Sequence, residues 1–251
     1  MLIRFDGKTV AVSGAGHGFG RAIARTFAGL GARVFATDLA ADELAETARP
    51  GGIAVAALDL TERAAAAGWI ADVERDSGCA IDVLVSNAGG VAGQTHQPLA
   101  EVSDAAWDAI FAINIHAAFA LARAAVPAMQ RAGRGRIITI SSGAGLGPSL
   151  TGIQAYCSAK HAVVGLTRQL AHELGPFGIT VNSIAPGFIR TNPATERQWA
   201  SYGPEGQKAL IERTALRRLG TAEDIANAVV FFASDLAAFV SGQILQVDGG
   251  R

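Results

Sequence analysis

Short apolar runs alternate with longer amphipathic stretches along the chain. The first run, residues 8–14 (KTVAVSG), is rich in β-branched side chains and ends in glycine, which predicts a buried strand. The stretch that follows, residues 19–31, places Ile23, Phe27 and Leu30 on one face of a helix. The same reasoning predicts six further strands, at residues 32–38, 53–60, 81–90, 135–143, 178–187 and 243–250.

Helical periodicity fills the connections between these strands. Thr61 is the predicted cap of the third helix, and one long helix is predicted to begin at Ser103 or Asp104. Helices are predicted at residues 41–48, 61–78, 103–133, 155–170 and 222–234, with a helical lobe at residues 192–213. Strands that alternate with helices form a parallel sheet covered on both faces. The pattern therefore predicts a single α/β domain, residues 1–251, with a doubly wound parallel sheet of about seven strands.

Small and polar residues cluster where the predicted strands end. Parallel strands bring their carboxyl ends to one edge of the sheet, and open sheets of this kind bind ligands just beyond that edge. The sequence therefore predicts one continuous site there. Its segments are SGAGHGFG, TD, LDL, SNAGG, SSGAG and APGFIRT.

The glycines after the first strand predict a nucleotide site. Gly14, Gly18 and Gly20 stand between a strand and a helix, where glycines let the backbone approach a pyrophosphate. Asp38 ends the second strand at about the interval, roughly 20 residues, at which a carboxylate meets the ribose hydroxyls of NAD and repels the 2′-phosphate of NADP. Asp59, at the end of the third strand, is placed to meet the adenine edge. The alternative interpretations are a tight turn for the glycines and helix caps for the two aspartates.

Tyr156 and Lys160 stand four positions apart on a predicted helix, so they share one face. Ser142 ends the fifth strand, and Asn114 lies within the long helix. Together with the glycine loop and Asp38, these residues resemble the short-chain dehydrogenase/reductase family, and the resemblance covers almost the whole chain. The further motifs that carry it are NAG at residues 87–89, YCSAK at 156–160, PGFIRT at 186–191 and the closing VDGG at 247–250.

The resemblance implies a Rossmann-like fold, a nicotinamide dinucleotide cofactor and a role for each matching residue, and Asp38 favours NAD over NADP. Tyr156 would be the general acid/base, Lys160 would favour its phenolate and Ser142 would hold the substrate oxygen, while Asn114 would anchor a water that links Lys160 to solvent. One departure is an interval between Ser142 and Tyr156 that is one residue longer than the family's commonest, which leaves Ser141 as a rival. The predicted catalytic residues are Asn114, Ser142, Tyr156 and Lys160. The predicted cofactor-binding residues are Ser13, Gly14, His17, Gly18, Phe19, Gly20, Asp38, Leu39, Asp59, Leu60, Asn87, Ala88, Gly89, Tyr156, Lys160, Pro186, Gly187, Ile189 and Thr191.

The substrate side is predicted less sharply. A mobile lid is expected at residues 188–213, and the candidate substrate contacts are Ser142, Gln154, Tyr156, Arg190 and Arg197. The arginines suit a polyhydroxylated or carboxylate-bearing substrate, or they simply face solvent. Leu146, Leu150 and Ile153 form an apolar wall that would suit a cyclic or aromatic alcohol instead.

The composition and net charge of the chain limit the classes of binding partner that are expected. Half of the 251 residues are hydrophobic, 17% are charged and the formal net charge is −1, which gives no support for a nucleic-acid or acidic-membrane partner. The two cysteines predict neither a disulfide framework nor a metal site, and no membrane-spanning run is expected. The expectation is a cytoplasmic protein that acts on a small alcohol or ketone and, by the resemblance, forms a homotetramer through the helices of Asn114 and Lys160 and the last strand.

Two other functions remain open. A reductase of carrier-bound 3-oxoacyl chains would use NADPH, against which Asp38 argues. A catalytically silent nucleotide-binding sensor would have little need of Asn114, Ser142, Tyr156 and Lys160 together. The first hypothesis is therefore an NAD-dependent dehydrogenase of a secondary alcohol.

Overall fold

Seven parallel strands form one sheet in the computed structural model, which describes residues 3–251. The strands are β1 Thr9–Ser13, β2 Arg33–Asp38, β3 Ile53–Ala57, β4 Val83–Ser86, β5 Gly135–Ile140, β6 Ile179–Pro186 and β7 Ile244–Val247. Their order across the sheet is β3-β2-β1-β4-β5-β6-β7, and every neighbouring pair is parallel. The predicted doubly wound, Rossmann-like fold is confirmed.

Helices occupy the connections, with one interruption that the sequence did not predict. The helices are α1 Gly18–Gly29, α2 Ala41–Ala48, α3 Arg63–Ser77, α4 Asp104–Phe111, α5 Ala117–Ala132, α6 Gln154–Leu174, α7 Pro193–Ser201, α8 Gly203–Arg213 and α9 Ala222–Ala233. The predicted long helix begins after Ser103, whose side chain accepts from the Ala106 N–H. A π-helical turn, Ala112–His116, then separates α4 from α5.

The predicted Thr61 cap is wrong. Helix α3 begins two residues later, and its N-cap is Glu62, which makes no side-chain capping bond. The Thr61 hydroxyl instead donates to the Asp59 carboxylate at 2.7 Å. A hydrogen bond within the preceding turn has thus taken the group that would have capped the helix.

The two faces of the sheet are buried by different helices. On β1, Val10 and Val12 pack with residues of α1 and α9, including Phe27. Ala11, which points the other way, packs with residues of α3 and α5, including Leu121. Burial on both faces explains why the strands read as continuous apolar runs. It also leaves the carboxyl edge of the sheet as the place for polar groups.

One helical segment has the length and composition of a membrane span, contrary to the sequence expectation. Residues Asp104–Ala132 contain an 18-residue window with a mean hydropathy of 1.7, of which 44% is buried inside the structure. Its buried side chains, among them Leu121 and Met129, pack against the sheet and α3. Core helices commonly have this composition, so the segment is weak evidence for membrane insertion.

Strand β1 lies between β2 and β4, so the chain reverses its direction of winding there. Such a switch point opens a crevice at the carboxyl ends of the two central strands. The residues that follow β1 and β4 are the glycine loop and residues 87–89, which places the predicted cofactor segments on either side of the crevice.

Candidate active site

The loop between β1 and α1 passes so close to its neighbours that side chains are excluded. A Cβ on Gly14 would lie 2.7 Å from the Cα of Ala88, and Gly14 also has a φ of +64°. A Cβ on Gly18 would lie 3.1 Å from the Thr191 hydroxyl, and one on Gly20 would collide with the Gly14 carbonyl. The loop therefore presents backbone at the positive end of α1, as a pyrophosphate site requires.

Ser13 and Asn87 lock the two central strands together. The Ser13 hydroxyl accepts from the backbone N–H groups of Asn87 at 3.0 Å and Ala88 at 3.1 Å. The Asn87 side chain donates in return to the carbonyls of Ser13 at 3.1 Å and Gly14 at 2.8 Å. Both side chains hold the crevice in shape, and the amide nitrogen of Asn87 spends its donors on the two carbonyls.

Asp38 lies at the rim of the glycine loop. One carboxylate oxygen accepts from the Gly16 N–H at 2.9 Å and the other from the Ala40 N–H at 3.2 Å. The nearby Arg21 is bonded to Glu43 at 2.5 Å and to Thr47 at 3.1 Å, so its charge is already paired. The carboxylate of Asp38 is half-buried, and no cation within residues 3–251 pairs with it.

The other predicted cofactor residues divide into exposed and buried groups. His17, Leu39 and Asp59 are exposed at the rim, and Leu39 is 72% exposed. Leu60 is 3% exposed and packs in the core, so its side chain cannot line the crevice. Phe19, in the first turn of α1, is partly buried and packs against the hydrophobic core.

The segment after β6 closes the crevice from the other side. Gly187 donates to the Val247 carbonyl at 3.0 Å, and Ile189 is 4% exposed within the core. Thr191 approaches Gly18, as described above, and therefore borders the loop. Of the predicted residues 186–191, Thr191 has a side chain placed towards the glycine loop, whereas Ile189 anchors the segment.

Tyr156 and Lys160 occupy one face of α6. The Lys160 ammonium lies 5.7 Å from the centre of the Tyr156 ring and donates to the Ile140 carbonyl at 2.9 Å. Lys160 is 4% exposed, and this burial lowers its pKa to about 8. An ammonium that loses its proton this readily is suited to a relay near neutral pH.

The pKa of Tyr156 is raised, although the sequence predicts that Lys160 favours the phenolate. Burial raises the pKa of the phenol, and a hydrogen bond with the Ser142 hydroxyl partly opposes that rise. The hydrogen bond of Lys160 with Ile140 directs the ammonium to the end of β5. In the protein alone, burial therefore outweighs the hydrogen bond with Ser142, and the pKa of Tyr156 lies above its ordinary value.

The two serines after β5 have different surroundings. Ser141 is 3% exposed, and its hydroxyl donates to the Lys160 carbonyl at 3.0 Å. Ser142 is half-buried, accepts from the Ala144 N–H at 3.1 Å and lies beside the Tyr156 hydroxyl. The geometry favours Ser142 over Ser141 as the group that meets a substrate oxygen.

Asn114 lies in the π-helical turn, where the regular pairing of the helix is interrupted. Its side chain donates to the carbonyls of Gly90 and Ile110, each at 2.8 Å, and accepts from the Gly90 N–H at 3.0 Å. A Cβ on Gly89 would lie 2.6 Å from the Asn114 side-chain oxygen and 3.1 Å from the Lys160 nitrogen. The missing side chain of Gly89 thus leaves the space through which these two groups can be linked.

The substrate candidates of the sequence analysis do not all converge. Arg190 is bound to Glu196 at 2.7 Å and lies over the Trp199 ring at 5.5 Å, so its charge is neutralised. Arg197 is exposed and forms no side-chain hydrogen bond or ion pair within residues 3–251. Gln154 donates to the Gln97 carbonyl at 3.0 Å, which ties it to the opposite loop. The prediction that Arg190 binds a substrate anion is therefore disfavoured by its pairing with Glu196.

Comparison with known proteins decides the family. The family model described as Enoyl-(Acyl carrier protein) reductase, which lies within the short-chain dehydrogenase/reductase family, matches residues 14–251. The chain belongs to the short-chain dehydrogenase/reductase family. It is therefore an oxidoreductase of a family that binds a nicotinamide cofactor.

Individual relatives of this short-chain dehydrogenase/reductase differ in substrate. The 3-oxoacyl-(acyl-carrier-protein) reductase FabG of Escherichia coli (strain K12) is 35% identical over an alignment of 252 positions that covers 99% of this chain and 98% of FabG. The 7alpha-hydroxysteroid dehydrogenase of the same strain is 37% identical over an alignment of 254 positions that covers 99% of this chain and 95% of that enzyme. The crystal structure of levodione reductase superposes with a TM-score of 0.89 at 30% identity and covers 98% of both chains.

Several functional groups of this short-chain dehydrogenase/reductase escape sequence reasoning because they act through the backbone. The Ile140 carbonyl holds Lys160, and both polar backbone groups of Gly90 hold Asn114. Any residue type supplies these groups, so no side-chain signal marks them. Among residues 3–251, no group of three or more His, Cys, Asp or Glu side chains is arranged to hold a metal ion.

Proposed function

We propose that the protein is an NAD-dependent dehydrogenase of a secondary alcohol, with Tyr156 as the general acid/base. The observation that carries the proposal is the juxtaposition of Ser142, Tyr156 and Lys160 at the end of β5, beside the glycine loop. The residues present fit a nicotinamide dinucleotide, because the excluded side chains at Gly14, Gly18 and Gly20 leave a backbone cradle at the start of α1.

Each catalytic group has one task in this proposal. Ser142 donates a hydrogen bond to the substrate oxygen and fixes its position. Tyr156 takes the proton of the substrate hydroxyl, while the nicotinamide, when bound, supplies the chemistry by accepting the hydride from the adjacent carbon. Lys160 gives up one ammonium proton towards Asn114 across the space at Gly89 and receives the proton released by Tyr156 in its place. The same groups return a proton to the carbonyl oxygen in the reverse direction.

The preference for NAD rests on Asp38. Its carboxylate is held by two backbone N–H groups at the rim of the loop, where ribose hydroxyls can donate to it. The 2′-phosphate of NADP would meet this negative charge, and Arg21 is already paired with Glu43. Dissociation constants for NADH and NADPH, measured by fluorescence titration, test this part of the proposal directly.

An uncharged cyclic alcohol or ketone is the substrate class that the surroundings support best. Leu146 and Leu150 are 40% and 47% exposed on one wall. Phe188, Trp199 and Tyr202 form an aromatic cluster in the lid, with ring centres 5.6 to 6.5 Å apart. Because Arg190 is paired with Glu196, this wall offers a substrate mainly apolar contact, while Arg197 stays an exposed cation of the lid.

A substrate panel tests this choice. NADH formation would be followed with cyclic and aromatic secondary alcohols, sugar acids and aliphatic alcohols as substrates. We expect the highest kcat/KM for the uncharged cyclic alcohols. A clear preference for sugar acids would contradict an uncharged cyclic substrate and would favour Arg197 as the residue that binds the substrate carboxylate.

A second candidate is a reductase of carrier-bound 3-oxoacyl chains, which the 35% identity to FabG favours. Asp38 opposes it if the reductant is NADPH. Assays with an acetoacetyl thioester and either NADH or NADPH separate the two functions. A silent nucleotide-binding sensor is the third candidate, and any turnover that depends on Tyr156 would exclude it.

We also propose a cytoplasmic homotetramer that assembles through α4, α5, α6 and β7. Phe239 is fully exposed, and Leu245 on the edge strand β7 is 38% exposed, which gives this end of the sheet an apolar surface. Light scattering coupled to gel filtration measures the assembly, and a monomeric mass would contradict it.

A further inference from the structure

A cavity of about 210 Å³ opens at the amino ends of the strands, on the opposite edge of the sheet from the active site. It lies where β1, β4 and β5 begin and is closed by the segment after α9. Four of its lining side chains are cationic: Arg4, Lys8, Arg134 and Arg136. None of the residues predicted from the sequence to act in catalysis or cofactor binding lines it.

Two of these cations share one carboxylate. Asp82, which is 8% exposed, accepts from Lys8 at 3.3 Å and from Arg134 at 3.2 Å on the same oxygen. Its other oxygen accepts from the Thr9 N–H at 3.0 Å. Arg4 is paired separately with Asp6. The Lys8–Asp82–Arg134 group therefore carries one positive charge in excess.

Arg136 is the least satisfied cation of the cavity. Its side chain is 18% exposed, and its nearest carboxylate is that of Asp235, at 3.7 Å and 97% exposed. One terminal nitrogen donates to the Gly135 carbonyl at 3.1 Å. The Nε atom is buried and has no hydrogen-bond partner within residues 3–251. A buried guanidinium donor without an acceptor is costly and calls for an anionic or polar partner.

We propose that this cavity binds a small oxyanion of the phosphate type, with Arg136 as its principal donor and Lys8 and Arg134 at its rim. The Nε atom of Arg136 is buried and Nη1 donates to the Gly135 carbonyl, so Nη2 is the donor offered to a phosphate oxygen. The excess positive charge of the rim attracts the anion. The volume holds several groups of water size, at about 30 Å³ each, and so accommodates a phosphate. This site is independent of the proposed catalytic function.

Isothermal titration with inorganic phosphate at constant ionic strength tests the proposal. The protein is first saturated with whichever of NAD or NADP it binds, because the glycine loop would otherwise take up phosphate itself. We expect one phosphate to bind the wild type, and Arg136→Gln to weaken that binding about 10- to 100-fold. Arg168→Gln, which removes an exposed charge on α6 outside this cavity, should leave the affinity unchanged.

Two further variants keep the test valid if Arg136→Gln fails to fold. Lys8→Gln and Arg134→Gln alter side chains that are 46% and 62% exposed, and each should weaken phosphate binding severalfold. A parallel titration with glycerol phosphate distinguishes the source, since tighter binding than inorganic phosphate would assign the site to a phosphorylated metabolite. Absence of phosphate binding to the cofactor-saturated wild type, or equal binding by all variants, would overturn the proposal and leave a water-filled cavity.

Discussion

Replacement of Asp38 by asparagine removes the charge at the rim of the glycine loop and keeps the shape of the side chain. The carboxylate accepts from Gly16 at 2.9 Å and from Ala40 at 3.2 Å, and an asparagine can keep one of these bonds through its oxygen. The variant therefore isolates the effect of the charge on cofactor choice. We expect it to weaken NADH binding and to strengthen NADPH binding.

The magnitude follows from Coulomb's law. A unit charge at about 5 Å from another interacts by about 1 kcal/mol in water and about 3 kcal/mol at the effective dielectric constant of a protein surface. The 2′-phosphate carries between one and two charges, and salt screens part of the repulsion, so we take about 2–4 kcal/mol. Loss of a charge-assisted ribose bond costs NADH about 1.5 kcal/mol or more. The ratio of the two affinities should therefore fall by about 10³.

Fluorescence titration of NADH and NADPH at fixed ionic strength measures both dissociation constants. Glu46→Gln is the matched control, because it removes the same charge from α2 at a side chain that pairs with Arg25 and Arg49. The control should change the affinity ratio less than about threefold. Equal binding of NADH and NADPH by the wild type, or an unchanged ratio in Asp38→Asn, would refute the reasoning.

Three further predictions concern the reacting groups. Gly89→Ala should lower kcat about 100-fold, measured by NADH formation, because its Cβ would lie 2.6 Å from the Asn114 oxygen and displace it from Lys160. Ser142→Ala should lower kcat about 100-fold or more, whereas Ser141→Ala should lower it less than about tenfold and mainly reduce stability in urea. Between pH 7 and 9.5, the free energy of unfolding of the wild type should rise by about 2 kcal/mol more than that of Lys160→Met.

The sign of the pH effect follows from proton binding. The folded protein loses the Lys160 proton at a pKa of about 8, below the ordinary lysine pKa of 10.5, so the unfolded chain binds more protons between these values. Stability then increases as pH rises through this window. The raised pKa of Tyr156 acts in the opposite direction, above the ordinary tyrosine pKa of 10.0, which is why the comparison stops at pH 9.5. A constant difference between wild type and variant would contradict the assignment.

Controls separate these effects from general instability. Gly68→Ala adds a Cβ on α3 with no atom within 4 Å, so it should leave kcat unchanged. Activity of Gly89→Ala equal to that of Gly68→Ala would contradict the linkage of Asn114 to Lys160. A larger loss of kcat in Ser141→Ala than in Ser142→Ala would reverse the choice between the serines.

The strands and the outline of the site were predictable because they depend on side-chain pattern. Apolar runs such as 8–14 predicted buried parallel strands, and the spacing of Tyr156 and Lys160 predicted a shared helix face. The interruption at Ala112–His116 was not predictable, because no residue type in the sequence marks a π turn. The burial of Asn114 is explained only by its hydrogen bonds to the backbone, which the sequence does not show.

Other differences arose from competition between polar partners. Arg190 reads as a free cation in the sequence, yet Glu196 six residues later neutralises it in the folded lid. Thr61 reads as a helix cap, yet Asp59 takes its hydroxyl. Each choice depends on which acceptor lies nearest in three dimensions. Sequence spacing can place polar side chains at the same edge of the sheet. It cannot show which of them will form a hydrogen bond or an ion pair with each other.

Hydride transfer by Tyr156→Phe tests the central claim most directly. The variant keeps the ring beside Lys160 and removes only the hydroxyl that is proposed to take the substrate proton. Single-turnover NADH formation should fall about 10²- to 10⁴-fold, while the dissociation constant for NAD stays within about threefold of the wild type. Turnover above about one tenth of the wild-type rate, with NAD still bound, would show that Tyr156 is not the general acid/base.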